Sequence, residues 1–262
     1  MQENKQYNTK PKVKVTIVTA TYNSSEHIAD CIKSVNSQTY KDIEHIVIDG
    51  ASNDNTLDII NSIPNRVKKI VSEKDKGIYD AMNKGIKLAS GDIIGILNSD
   101  DFFADDEVIS RIVNEFKQDT EIDGVYTNLY YVKPDMPQTI IRHWVSNPFE
   151  KKNFFKGWHP PHPTLYLKKD VYEMYGLFNL RFSLAADFEL MLRLFERYDI
   201  NTKYLDITTI RMRLGGATSK NMKNIRKQNA ECIEAFKING FKPPILYPVY
   251  RLLPKLTQFF KR

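Results

Sequence analysis

Four short runs of β-branched and aliphatic residues, separated by segments with helical spacing, constrain this chain more than any other feature. Val13 to Thr21, Ile43 to Asp49, Val67 to Val71 and Ile93 to Leu97 read as buried strands. Helices are expected from Ser24 through Val35 with serine available as the cap, from Asn53-Asp54-Asn55-Thr56 through Ser62, and from Ile78 to Ala89. Alternation at this interval implies right-handed βαβ units and a parallel sheet. In such sheets ligands lie beyond the carboxyl ends of the strands. Thr19 to Tyr22, Asp49, Asp75 to Gly77 and Asn98 to Asp101 all sit at those ends. Four polar clusters therefore converge on one edge.

Past Asp105 a helix to about Lys117 is expected, and then the pattern changes. Val125 to Val132 and Thr139 to Val145 read as strands, with intervening prolines that suit a hairpin or a sheet edge. Phe154 to Pro163 is a loop rich in aromatics, His and Pro. Ser183 to Asp187 leads into an amphipathic helix with Phe188, Met191, Leu192 and Phe195 at helical spacing. A strand from Thr202 to Ile207, the pair Gly215-Gly216 and a helix from Asn221 to Ile238 follow. The expected organisation is a polar extension (1–12), a first lobe (13–104), a second lobe of the same domain (105–220), and a C-terminal helix with a basic, apolar tail (221–262).

At 262 residues the chain can bury one sizeable core. Its two cysteines, Cys31 and Cys232, form no metal-ligand pair, and Cys31 falls on an apolar stripe with Ile28, Ile32 and Val35, which predicts a core thiol. The N-terminus lacks the apolar segment of a signal peptide, and no run is long enough to span a bilayer. A cytoplasmic protein, soluble or peripheral, is expected. The net charge of +6 matches no nucleic-acid-binding signature. Between Gly240 and Arg262 lie five Lys or Arg and no acidic residue, so this tail is a candidate for an anionic membrane surface, with docking on its own domain as the alternative.

The stretches TIVTATYNSSEHIADCIKSVNSQTY, IEHIVIDGASNDNT, DKGIYDAMNKGIKLASGDIIGILNSDD and AADFELMLRL, in this order, resemble the signatures of the large second family of glycosyltransferases. The resemblance implies a GT-A fold: an α/β, Rossmann-like, mostly parallel central sheet flanked by helices, with a smaller mixed acceptor-side lobe. It also implies a nucleotide-sugar donor, a divalent cation (Mn²⁺ or Mg²⁺), inversion at the anomeric carbon, and polysaccharide synthesis of the lipopolysaccharide or capsule type. Carried over by position, Thr19, Tyr22 and Asp49 match nucleotide-binding residues, with Ala20 a further candidate beside them, Asp100 the metal-binding aspartate and Asp187 the catalytic base. Two positions depart from the pattern: Asn98 replaces the first acidic residue of the metal motif, and Ala186 replaces a Glu before the base.

Each cluster has a chemical reading and a plainer one. Asp100 and Asp101 are candidate metal ligands, since hard cations take carboxylate oxygens and substrate phosphates complete the shell. Asn98 offers an amide oxygen and Ser99 a hydroxyl to the donor. The plainer reading makes this segment the N-cap of the helix near Asp105. Asp49 is either a turn residue or an acceptor for uracil or ribose, Tyr22 either core or a stacking ring. Lys76 either meets the donor or is solvated. Asp187 is the expected general base, the plainer role being a helix N-cap. Trp158, His159 and His162 are expected in an acceptor-site or lid loop, with Trp158 as a sugar-stacking ring. Arg211 and Arg213 are candidates for a segment that closes on the diphosphate.

A Rossmann dehydrogenase is disfavoured because no G-x-G-x-x-G follows the first strand. The remaining alternative is a nucleotide-sugar-binding protein with little catalysis.

Overall fold

The computed structural model describes residues 13–215 and 222–251. Its first half runs β1 (Val15–Thr21), α1 (Ile28–Asn36), β2 (Ile43–Asp49), α2 (Thr56–Ser62), β3 (Val67–Ser72), α3 (Ile78–Leu88) and β4 (Ile93–Ile96). The strands stand in the order β3-β2-β1-β4, all parallel. The chain thus winds outward from β1 to β3 and returns to place β4 on the other side. This reversal opens a crevice at the carboxyl ends of β1 and β4, where neighbouring crossovers leave in opposite directions.

Strand periodicity sorts side chains to two cores. Val18, Ala20, Ile46, Ile48, Ile94 and Ile96 join one cluster with Met82 and Ile86 of α3. Val15, Ile17, Val47 and Ile93 join the other with Ile28, Cys31, Ile32 and Val35 of α1. Gly85 is needed for the first packing, since a Cβ there would stand 2.2 Å from Val18 Cγ1. Cys31 is buried, and burial pushes its thiol up to about 12, consistent with a core role.

The second half runs β5 (Phe102–Phe103), α4 (Val108–Gln118), β6 (Gly124–Val132), β7 (Ile140–Trp144), β8 (Tyr166–Lys168), α5 (Lys169–Tyr175), α6 (Ala186–Leu192), β9 (Thr202–Arg213), α7 (Met222–Ile238) and α8 (Tyr247–Tyr250). It extends the same sheet as β4-β8-β6-β9-β5, with β7 paired to β6. Here β8 is antiparallel to β4 and β6, whereas β9 is parallel to β6. The hairpin β6–β7 leaves β7 at an edge, as its prolines predict. The sheet is parallel in the first half and mixed in the second, the arrangement that a GT-A fold implies.

Three expectations are corrected. Asp100 and Asp101 do not cap the next helix, because β5 intervenes and α4 begins only at Val108. Ser24 does not cap α1 with its side chain. Its carbonyl accepts from His27 and Ile28 N–H groups while its hydroxyl turns to Ser99 Oγ at 2.8 Å. The expected amphipathic helix at 188–195 is buried all round. Even Glu189 lies inside, held by Arg193 Nε at 2.9 Å and Asn239 Nδ2 at 3.0 Å, and a π-helical turn at Arg193–Arg197 continues α6.

Candidate active site

Two cavities meet at Asp100. The larger, 670 Å³, opens over the crevice between β1 and β4 and is lined by Ala20 to Ser24, Asp75, Gly77, Ile78, Ser99, Asp100 and Arg213. The smaller, 310 Å³, is lined on one side by Tyr79, Asn98 and Asp100 and on the other by Trp144, His159, His162, Asp187, Gln228 and Arg251.

The first cavity is shaped by ties between loops that are distant in sequence. Ser52 Oγ accepts from the Asn23 N–H at 2.8 Å, Asn23 Oδ1 accepts from the Asn53 N–H at 2.9 Å, and Asp54 Oδ2 accepts from the Ser25 N–H at 3.1 Å. Asn23 and Ala51 hold left-handed backbone (φ 47° and 62°) so that these loops can turn at the strand ends. At Gly50 a side chain is excluded, because a Cβ would lie 2.9 Å from Asp75 Oδ2 and 3.3 Å from the Tyr22 ring. Gly50 therefore lets an exposed aromatic ring and a carboxylate close over the backbone at the end of β2.

Thr19 and Asp49, expected to touch the nucleotide, do not line the first cavity. Thr19 belongs to the α1 face of β1 by strand alternation. It is buried with its hydroxyl 3.0 Å from His45 Nε2, whose imidazole burial, aided by Arg66, depresses to about 3. Asp49 is fully buried, and its oxygens accept from the Ser52 N–H at 3.0 Å, the Ser52 hydroxyl and the Ser72 hydroxyl at 2.6 Å. It shapes the turn, and Asp75 is the carboxylate that faces the cavity. Lys76 is exposed and outside the lining, its N–H donating to Asp80 Oδ2 at 2.9 Å.

At the β4 end the two aspartates separate. Asp100 faces both cavities, and its carbonyl accepts from Arg213 at 2.7 Å. Asp101 is 1 % exposed and accepts from Asn98 Nδ2 at 3.1 Å. Burial first, then the charge of Asp100, pushes its carboxyl well above the ordinary range. Asp101 is thus turned inward, away from either cavity. Asn98 Oδ1 is buried and has no hydrogen-bond partner among the described residues. No three His, Cys, Asp or Glu side chains cluster as a metal-binding group among the described residues.

Arg213 is not the free end of a closing segment. It is buried at the end of β9, ion-paired with Asp30, bonded to Pro134 O and Asp100 O, and stacked over the Phe102 ring at 5.0 Å. Arg211 bonds Pro137 O at 3.3 Å and lines neither cavity. Gly216 lies outside the described residues, as does the tail from 252.

In the second cavity Asp187 stands in the first turn of α6, half-buried, with Tyr79 Oη donating to its Oδ1 at 3.0 Å. Burial, then the charge of Asp187, pushes the Tyr79 phenol far up, which keeps it a donor. The segment before α6 is fixed by Glu231 of α7. Its carboxylate accepts from the Ser183 N–H and hydroxyl and from the Leu184 and Ala185 N–H groups, at 2.8 to 3.2 Å. Neither Tyr79 nor Glu231 is among the expected site residues, and their only signal in the sequence is an aromatic and an acidic residue on predicted helices.

His159 and His162 both line this cavity, the latter 8 % exposed and shifted toward its neutral form by burial, against the pull of Asp187. Trp158 does not. It packs against Tyr126, Phe149 and Phe154, and Trp144 is the indole on the wall, stacked with Tyr131 at 6.3 Å.

The chain is similar to known glycosyltransferases. Over 195 residues the chain is 28% identical to a PGL/p-HBAD biosynthesis glycosyltransferase of Mycobacterium bovis (strain BCG / Pasteur 1173P2), covering 73% of each. Over 122 residues it is 37% identical to the UDP-Glc:alpha-D-GlcNAc-diphosphoundecaprenol beta-1,3-glucosyltransferase WfaP of Escherichia coli, 46% of this chain and 47% of that one. The fold is similar to that of the mannosyltransferase PcManGT from Pyrobaculum calidifontis, solved with GDP-Man and Mn²⁺, with a TM-score of 0.63 at 18% identity over 94% of this chain and 70% of that one. Residues 16–168 match the family described as Glycosyl transferase family 2. With more than half its length in that match, the chain belongs to glycosyltransferase family 2 and is a glycosyltransferase.

Proposed function

We propose that the enzyme moves one sugar, with inversion, from a nucleotide-diphosphate sugar to a hydroxyl of a glycan or lipid-linked glycan, with Asp187 as general base. A UDP-sugar is the favoured donor. The observation that carries this reading is the shared wall: Asp100 borders both cavities, and Asp187 lies in the second. A donor in the first cavity and an acceptor in the second would meet there, with a carboxylate on the acceptor side.

In this reading the nucleobase stacks on the exposed Tyr22 ring and is bonded at a ring N–H by Asp75, both on the wall of the first cavity. Asp100 and the unpartnered Oδ1 of Asn98 fit a hard divalent cation, which takes oxygen donors and draws its remaining ligands from water and diphosphate. When bound, such an ion would neutralise charge on the leaving diphosphate. Asp101, turned inward, is left out of the ligand set. Asp187 accepts the acceptor's hydroxyl proton on Oδ2 while the Tyr79 hydroxyl holds Oδ1. Trp144 and Tyr131 offer the acceptor sugar an aromatic wall. Exposed Ile245, Leu246 and Val249 next to the basic tail favour peripheral contact with the inner face of an anionic membrane.

The test is nucleotide release from a panel of UDP- and GDP-sugars with Mn²⁺ or Mg²⁺. Turnover of at least one donor, abolished by chelation, is expected. Absence of both binding and turnover across the panel would sink the proposal.

A further inference from the structure

Arg251 follows α8 and is placed there by tight packing. Tyr247, one turn earlier, is buried against Phe188 and Phe236. The backbone of Tyr250 and Arg251 lies so close to Gly157 that a Cβ there would come within 2.5 to 2.8 Å of it. The side chain is 9 % exposed and lines the 310 Å³ cavity that contains Asp187. Among the described residues its guanidinium makes one side-chain hydrogen bond, to Asn229 Oδ1 at 2.7 Å, and no ion pair. The other buried arginine, Arg213, has a carboxylate, two carbonyls and an aromatic face.

Among the described residues no carboxylate pairs with it; a largely buried guanidinium without a counter-charge is costly, and its fork of N–H groups matches phosphate oxygens. The chemistry outside α8 indicates what carries the anion. Ile245 is 94 % exposed, and Leu246 and Val249 are about half exposed, so the short segment that ends in Arg251 also carries exposed apolar side chains. A ligand with a phosphate head and an aliphatic chain suits both features, whereas a charged sugar suits only the first.

We propose that Arg251 is a phosphate-binding residue of the acceptor site, selecting acceptors in which the glycan is carried on a lipid phosphate. The inference rests on the second cavity being the acceptor side, as in the proposed function, and its test reads the phosphate preference separately from donor binding.

Purified enzyme is titrated by calorimetry with hexyl phosphate, hexanoate and hexyl glucoside, each below its micelle threshold, with and without UDP and Mn²⁺. Hexyl phosphate should bind at least about tenfold more tightly than either other probe. Arg251→Gln should erase that preference and leave hexyl glucoside and UDP binding unchanged. Arg251→Lys, which keeps charge but not the fork, should retain part of it and guards against a folding defect in the first variant. Equal binding of phosphate and glucoside by the wild type, or a preference that survives in Arg251→Gln, overturns the inference. A preference for hexanoate equal to that for phosphate also overturns it, in favour of an acidic sugar. Failure of UDP to bind would instead strike the UDP-sugar donor of the proposed function, while the phosphate preference would still be read without nucleotide.

Discussion

The two halves of the sheet build their cavities in different ways. In the parallel half each wall comes from the segment after one strand: the ends of β1, β3 and β4 supply it, joined by the end of β9. In the mixed half no single segment makes a wall. Asp187 is held by Tyr79, 108 positions earlier, and its approach segment by Glu231, more than 40 positions later. A topological rule locates the first kind of site, whereas the second exists only once α3, α6 and α7 have packed together. The donor half should therefore tolerate damage to the acceptor half, which gives the comparison a measurable edge.

The largest effect should come from Asp187→Asn. It removes the carboxylate without changing shape, so transfer should fall about a thousandfold while nucleotide affinity stays within about twofold. Single-turnover rates and a nucleotide titration check both parts, and retained turnover would remove Asp187 from its role. Asp100→Asn probes the shared wall instead. Transfer should fall about a hundredfold, and unlike the first variant it should weaken the metal dependence of nucleotide binding. If its nucleotide binding responds to Mn²⁺ like the wild type, Asp100 is not the ligand.

Glu231→Gln sharpens the point about distance. An amide in place of the carboxylate would turn an N–H₂ group toward backbone N–H donors, at a cost of about 2 kcal/mol. If Glu231 positions Asp187, kcat should drop about tenfold with donor KM unchanged, whereas a purely structural role would lower the unfolding midpoint alone.

What could be read in the sequence follows the same division. The strands and helices of the first half follow from β-branched runs and helical spacing because their contacts are with neighbours in the chain. There even β2 ends where expected, at Asp49. Period-two alternation, applied residue by residue, would also have shown that Thr19 faces α1 while Ala20 faces the other core. The surroundings of Asp49 were hidden for another reason: burial and three hydrogen bonds from Ser52 and Ser72 are tertiary facts, and its sequence context is that of any turn. Strands β5 and β8, two and three residues long, are too short to carry a periodic signal. Trp158 and Trp144 are indistinguishable by type, and only packing separates the core indole from the one on a cavity wall.

The smallest catalytic effect should come from the opposite edge of the parallel half, where Glu44 ties β1, β2 and the turn before β4. Its carboxylate accepts from Lys14 Nζ at 3.1 Å, Thr16 Oγ1 at 2.7 Å, Ser90 Oγ at 2.6 Å and the Ser90 N–H at 2.8 Å. Burial alone would push this carboxyl up, yet the hydrogen bonds from Ser90, Thr16 and Lys14 outweigh it and hold it down at about 2, against 4.5 for a free glutamate. A depressed folded value means the unfolded chain binds the proton more readily. The contribution to stability is therefore complete above about pH 4.5 and is lost as pH falls toward 2. Glu44→Gln should cost about 2 kcal/mol in urea unfolding at pH 7, and that difference should shrink steadily below pH 4.5. Transfer at neutral pH should be unchanged, because the strand ends that bear the donor loops lie at the other edge of the sheet. A loss of kcat in a variant that remains folded would mean that the two edges are coupled, and that the parallel half is not the rigid support this comparison requires.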